Sequence, residues 1–113
     1  MSGQYASYSV LGTGGGGGGG TDQVTEVSAD YTILGTDAHV RVDAGTGVRS
    51  ITLPDASAVL GKKYVIKKVD ASANVVNINT VLGQLIDGLT VQQLLTQYES
   101  LSLISVGTGW DIQ

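Results

Sequence analysis

From residue 31 to residue 112, apolar and polar residues alternate in short bursts separated by turn-forming residues. Alternation with period two marks a half-buried strand, because successive side chains point to opposite faces of a sheet. Residues 31–34 open the series. Residues 39–43 follow, with Val40 and Val42 on one face and His39, Arg41 and Asp43 on the other. Gly45-Thr46-Gly47 makes a turn, residues 49–53 put Ile51 and Leu53 on one face, and Pro54, which lacks a ladder donor, ends that strand. Residues 55–61 read as a single helical turn or ordered loop closed by Gly61. Residues 63–69 resume strand pattern, with Tyr64 and Ile66 facing one way and Val65 and Val69 the other. After a turn at 70–73, further strands are predicted over 75–81, 89–95 and 98–106. The last has Leu101 and Leu103 on one face and Ile104 and Val106 on the other. Gly107-Thr108-Gly109 predicts a hairpin turn, and Trp110-Asp111-Ile112 closes the chain.

Turns at intervals of about eight to twelve residues predict an all-β fold, here a small antiparallel β-sandwich or barrel-like module. An antiparallel sandwich of this size should keep one face of each strand wet and polar. Strands that are apolar on both faces fit better when the second face packs on another subunit, which predicts self-association. Composition points the same way. Charged residues are only 14% of the 113, hydrophobic residues are 42%, and Phe is absent while Val, Ile and Leu abound. A domain of some 90 residues gains much from oligomerising.

The net charge of −4 argues against nucleic acid as a partner, since phosphate binding needs a basic stripe. Lys62, Lys63, Lys67 and Lys68 do cluster, but without Arg or interleaved aromatics; they read as charges that keep strand edges and ends soluble. With no cysteine, disulfides and thiolate metal sites are excluded. No apolar run approaches the roughly 20 residues of a membrane-spanning helix, and the opening Met-Ser-Gly-Gln-Tyr does not read as a signal peptide. The expectation is synthesis in the cytoplasm, no membrane insertion and no cofactor.

Ahead of the strands the chain has another character. Gly14 to Gly20 form an unbroken run of seven glycines. Such a run forfeits too much backbone entropy to hold regular structure and predicts a tether. Gly12, Gly14 and Gly17 match a dinucleotide-binding fingerprint only formally, since no strand leads into the run and no helix follows. Residues 1–13 carry Tyr5, Tyr8, Val10 and Leu11. They read either as a tail or as an anchor peptide that adds to another protein, the glycines serving as leash. The predicted organisation is therefore an anchor over 1–13, a linker over 14–20 and a β module over 21–113.

An ordered set of short strings then stands out: Ala29-Asp30-Tyr31-Thr32-Ile33-Leu34-Gly35-Thr36-Asp37, Val40-Arg41-Val42-Asp43, Ile51-Thr52-Leu53-Pro54-Asp55-Ala56, the stretch from Gly61 to Val76, Ile86-Asp87-Gly88, Gln97-Tyr98-Glu99-Ser100-Leu101 and Gly107-Thr108-Gly109-Trp110. Across residues 29–113 this set resembles the small β modules that end many tailed-phage fibres, tailspikes and head fibres and that recur in prophage-derived adhesins. The resemblance implies a homotrimer and a structural role on the virion surface. With only a short head and a glycine run ahead of the module, a capsid decoration or head-fibre knob is the expectation. Residues 1–13 would then bind the major capsid protein or another virion protein. The alternative is a receptor- or glycan-binding tail-fibre tip.

Candidate chemistry is sparse, and no enzyme is expected. His39, the single histidine, has no nucleophile elbow to serve and reads as a solvent-facing strand residue. Asp30, Asp37, Asp43, Asp55, Asp70 and Asp87 fall at turns, where a carboxylate accepts local backbone donors. Asn74, Asn77 and Asn79 are read as surface residues, or as a hydrogen-bonded ladder around a symmetry axis. Trp110, Tyr98, Tyr64 and Tyr31 are read first as core or interface anchors. Trp110, beside a loop, is the one expected to contact a glycan at the tip.

Overall fold

The computed structural model describes residues 23–113. Tyr5, Tyr8, Val10, Leu11 and the glycine run lie outside these residues. The strands are β1 (Val24–Val27), β2 (Tyr31–Thr32), β3 (His39–Val42), β4 (Arg49–Thr52), β5 (Lys63–Lys68), β6 (Val76–Asn79), β7 (Val91–Leu94), β8 (Ser100–Ser105) and β9 (Trp110–Ile112). A single 3-10 turn, Ala56–Ala58, is started by Asp55, whose carboxylate accepts from the Ser57 amide. The fold is all-β.

The strands form two sheets, a five-stranded one ordered β9-β8-β5-β3-β1 and a four-stranded one ordered β2-β4-β6-β7. The chain crosses from one sheet to the other and back as it winds. β1, β3 and β5 stack in parallel in the first sheet. β2, β4 and β6 stack in parallel in the second. Three coils are thus laid one on another. The end of the chain then reverses, with β7 antiparallel to β6, β8 antiparallel to β5 and β9 antiparallel to β8. The antiparallel sandwich expected from sequence is corrected to two mixed sheets. Parallel neighbours need a long crossover connection, and here the strand and turns of the opposite sheet supply it in place of a helix.

The core lies between the sheets. Val40, Val42, Tyr64, Ile66, Leu103 and Trp110 fill it from the larger sheet, and Ile51, Val76, Ile78 and Leu94 from the smaller. The inward sets Val40/Val42, Tyr64/Ile66 and Ile51/Leu53 are those the alternation assigns to one face. Ile33, Leu53, Ala56 and Ile86 plug the core from the loops.

Lys68 is a second correction. β5 is flanked by β3 and β8 and is not an edge. Counting by twos from Tyr64 and Ile66, Lys68 points inward, and it is fully buried. A buried ammonium is tolerated only when paired and hydrogen-bonded. Its Nζ lies 2.7 Å from Asp70 Oδ2 and 3.3 Å from the Asp70 carbonyl. Asp70 also accepts from the Ala44 amide at 2.7 Å, the Ser72 amide at 3.0 Å and the Ser72 hydroxyl. Asn74 Nδ2 donates to the Ala44 carbonyl at 2.8 Å. This polar plug joins the β3–β4 turn to the β5–β6 turn and closes one end of the sandwich.

Asp37 does the same for the first coil at the opposite end. It is 1% exposed and accepts from Thr25 Oγ1 at 2.6 Å, the Tyr31 hydroxyl at 2.6 Å and the Leu34 amide at 2.8 Å. Burial works against its ionisation, but these three donors and the charge of Lys62 outweigh it and hold the carboxyl below its usual range. The same hydrogen bond, with burial and the Asp37 charge, pushes Tyr31 up to about 12.

Candidate functional site

The connections at the Asp37 end differ from those at the Lys68 end in what they expose. Four segments meet there: residues 33–38, 53–62, 80–90 and 106–109. They are stitched together locally. Val59 packs near Gly35, the Gly61 amide donates to the Ser105 carbonyl at 3.0 Å, and Leu60 lies against Gly107. Gln84 accepts from the Ala56 amide at 3.0 Å and donates to Asp55 Oδ1 at 2.9 Å. The Trp110 amide donates to the Leu85 carbonyl at 2.9 Å. Gly109 is obligatory for that contact, because a Cβ there would sit 2.8 Å from the Leu85 carbonyl oxygen.

This end presents Leu34, Leu60, Leu82, Leu85, Leu89 and Val106 to solvent. Leu60 is 72% exposed and Leu82 80%. Leu82 also sits in the left-handed backbone region at φ 57, and Asp87 at φ 46. A non-glycine residue there is uncommon and costs on the order of 1–2 kcal/mol. An exposed leucine held in that conformation gains nothing for the isolated fold. Between the last two of these segments lies a shallow depression of about 320 Å³, bordered among others by Gln84, Leu85, Asp87, Val106, Thr108 and Trp110. The described chain enters at this same end: the Gln23 carbonyl accepts from the Ala38 and His39 amides at 3.2 and 3.0 Å.

No protein-family model matches the chain, and no curated protein matches it.

The individually expected residues fall as follows. Tyr5, Tyr8, Val10 and Leu11, the expected anchor, are outside the described residues. Trp110 is 1% exposed, and its ring packs on Tyr64 with centroids 5.7 Å apart and planes tilted by 54°. Its ring packs in the core, and the residue also borders the depression. Its Nε1 is buried without a hydrogen-bond partner.

His39 lies on the outward face of the larger sheet and is half-buried; burial lowers its pKa first, and the charges of Arg41 and Lys67 add to the effect. Asn77 and Asn79 lie on the outward face of the smaller sheet, where Asn77 accepts from Gln93 Nε2 at 2.9 Å. Asn74 is bound to Ala44, as described. The turn aspartates accept local amides in the predicted way at Asp43, Asp55 and Asp70. Asp30 and Asp87 instead reach across to the amides of Ser50 and Ile112. Among the described residues, no group of three His, Asp or Glu side chains gathers as a metal centre.

Sequence reasoning missed β1 and the apolar end. Val24-Thr25-Glu26-Val27 is short and mixed, and its strand nature depends on docking beside β3. The apolar end has no periodicity to reveal it. Its leucines come from separate turns, and a local signal is an aliphatic residue beside a glycine at positive φ, as at Leu60-Gly61, Leu82-Gly83, Gly88-Leu89 and Val106-Gly107.

Proposed function

We propose that this chain is a structural module of a tailed-phage particle, a β knob that trimerises and is mounted on the virion surface through residues 1–13. Gly14 to Gly20 act as the leash, and the partner of the anchor is the major capsid protein or another virion protein. The observation that carries the reading is the apolar end. Six large aliphatic side chains are exposed around four stitched segments, at the end where the chain enters the sandwich from its glycine run. Exposed apolar surface collected in this way marks a contact surface. Copies brought close by a common mount meet at high effective concentration, which favours association through such a surface. The likeness of residues 29–113 to phage fibre modules supplies the setting.

Native mass spectrometry and light scattering on the full chain test the association. A trimer at micromolar concentration is expected, and a monomer would refute it. Leu60→Ser with Leu82→Ser should yield a folded chain of lower mass. Deleting residues 1–20 should leave the trimer intact and abolish attachment to the parent particle; attachment that survives the deletion would refute the anchor.

A further inference from the structure

A second surface lies on the outward face of the larger sheet. Glu26 on β1, Arg41 on β3, Lys67 on β5 and Ser100 on β8 are paired in register and form one row across four strands. The adjacent row is Val24, His39, Val65 and Ser102. Arg41 and Lys67 are therefore direct cross-strand neighbours, and like charges so placed are destabilising. Among the described residues, compensation is slight. Glu26 approaches Arg41 only to 4.0 Å, with its side chain 77% exposed. Glu99 turns its carboxylate away, accepting from the amides of Leu95 and Thr96 at 2.7 and 3.2 Å. His39, held back from protonation first by burial and then by these cations, is a third group on this face.

Tyr98 completes the patch. The Lys67 ammonium lies 5.7 Å from its ring centroid, and the tyrosine is 61% exposed. Its backbone is left-handed at φ 68, and its amide is fixed to the Lys68 carbonyl at 2.7 Å. An aromatic ring is thus held in the open, on a left-handed backbone, next to Lys67, whose cross-strand neighbour is Arg41.

We propose that this face binds an acidic saccharide, with a sulfate or carboxylate group between Arg41 and Lys67 and a sugar ring stacked on Tyr98. Arg suits this role because its planar fork gives two parallel hydrogen bonds to such an anion. The anion would also remove the repulsion that folding leaves in place. A nucleic-acid strand fits less well, since it calls for a longer run of cations and several stacking rings.

The test uses the full-length chain, calorimetry and three probes: a heparin-derived oligosaccharide, an oligogalacturonate and a neutral dextran of matched length. At least one acidic oligosaccharide should bind, with affinity falling as salt is raised, and the dextran should not. Lys67→Ser should weaken binding roughly tenfold or more, with melting temperature unchanged or higher because a like-charge neighbour is gone. Tyr98→Ala should weaken it roughly threefold to tenfold. The His39 ring, followed by NMR, should titrate at higher pH in the complex than in the free chain. Its charged neighbours are Arg41 on its own strand, Lys67 on β5 and Glu26 on β1. Failure of both acidic probes to bind, binding of the neutral dextran alike, or full affinity retained in Lys67→Ser would overturn the proposal. So would equal or tighter binding of a single-stranded oligodeoxynucleotide of matched charge.

Discussion

Asp70 and Asp37 are each the hub of a buried polar cluster, and each makes its end of the sandwich sensitive to a single atom. Asp70 is ionised against the cost of burial because Lys68, Ser72 and the amides of Ala44 and Ser72 all donate to it, and its carboxyl is held well below the usual range. Removing one member of a buried pair leaves the other uncompensated. Asp70→Ala should therefore cost about 3–5 kcal/mol, measured by urea denaturation. Lys68→Met should cost less, because Asp70 keeps its amide donors and is 11% exposed to water. A group whose folded pKa is depressed stabilises the fold above its unfolded pKa, and that contribution is lost as pH falls through the folded value. Relative to its own neutral stability, the wild type should accordingly lose more on acidification than Asp70→Ala, whose stability should decline more gently as pH falls. Tyr31 has the opposite sign. Its pKa is raised from 10.0 to about 12, so its contribution is complete below pH 10.0 and is lost between there and about 12. Tyr31→Phe should lose about 1.5–3 kcal/mol at neutral pH, the worth of a hydrogen bond to a charged group. It should also flatten the decline in melting temperature over that alkaline window.

At the scale of elements, the strands other than β1 are legible in the sequence and their directions are not. Period two reports which face a residue occupies, and the inward sets Val40/Val42, Ile51/Leu53 and Tyr64/Ile66 follow from it directly. The same alternation describes parallel and antiparallel strands equally well. No constant repeat betrays the coils either, since Thr25 pairs with Val40 while Val40 pairs with Ile66. Lys68 was misplaced because a lysine at the end of a strand is usually solvated, and its burial depends on Asp70 and Ser72 arriving from the next turn. Of the candidate sites, the row Arg41–Lys67 was hidden because it joins residues from strands whose register only the fold defines. Turn geometry is more local. Gly109 was readable as a hairpin glycine, but not its approach to Leu85. Gly109→Ala should destabilise by about 1–3 kcal/mol, the usual cost of overpacking, because the obstructing atom is backbone and cannot step aside. Leu82→Gly should do the reverse in the isolated chain, raising stability by about 1 kcal/mol as the left-handed strain is relieved. It should also weaken self-association, since the exposed leucine goes with it.

The whole molecule has two surfaces of different character, and hydrogen exchange separates them. The apolar end is built from turns, and the cationic row lies on the face of a sheet whose amides are already paired along β3, β5 and β8. In a single copy, amides in segments 80–90 and 106–109 that are not held by turns or bridges should exchange quickly, except around Ile86, because openings away from that core residue expose little buried apolar surface. β1 lies at a sheet edge and should also open early, whereas β5 and β6, each flanked on both sides, should be the slowest. If copies associate through the apolar end, raising the protein concentration from below to above the association midpoint should slow exchange in those two segments. β5 and β8 should change only as much as global stability does. Adding an acidic oligosaccharide should change exchange near Tyr98 and Glu99, where the turn into β8 begins, and leave segments 80–90 and 106–109 unaffected at fixed concentration. Protection that instead spread over the Arg41–Lys67 face as concentration rose would place the self-contact on the sheet. It would make that row a site for the acidic residues of a neighbouring copy. The two surfaces would then be one interface, and the saccharide probes would compete with association instead of leaving it unchanged.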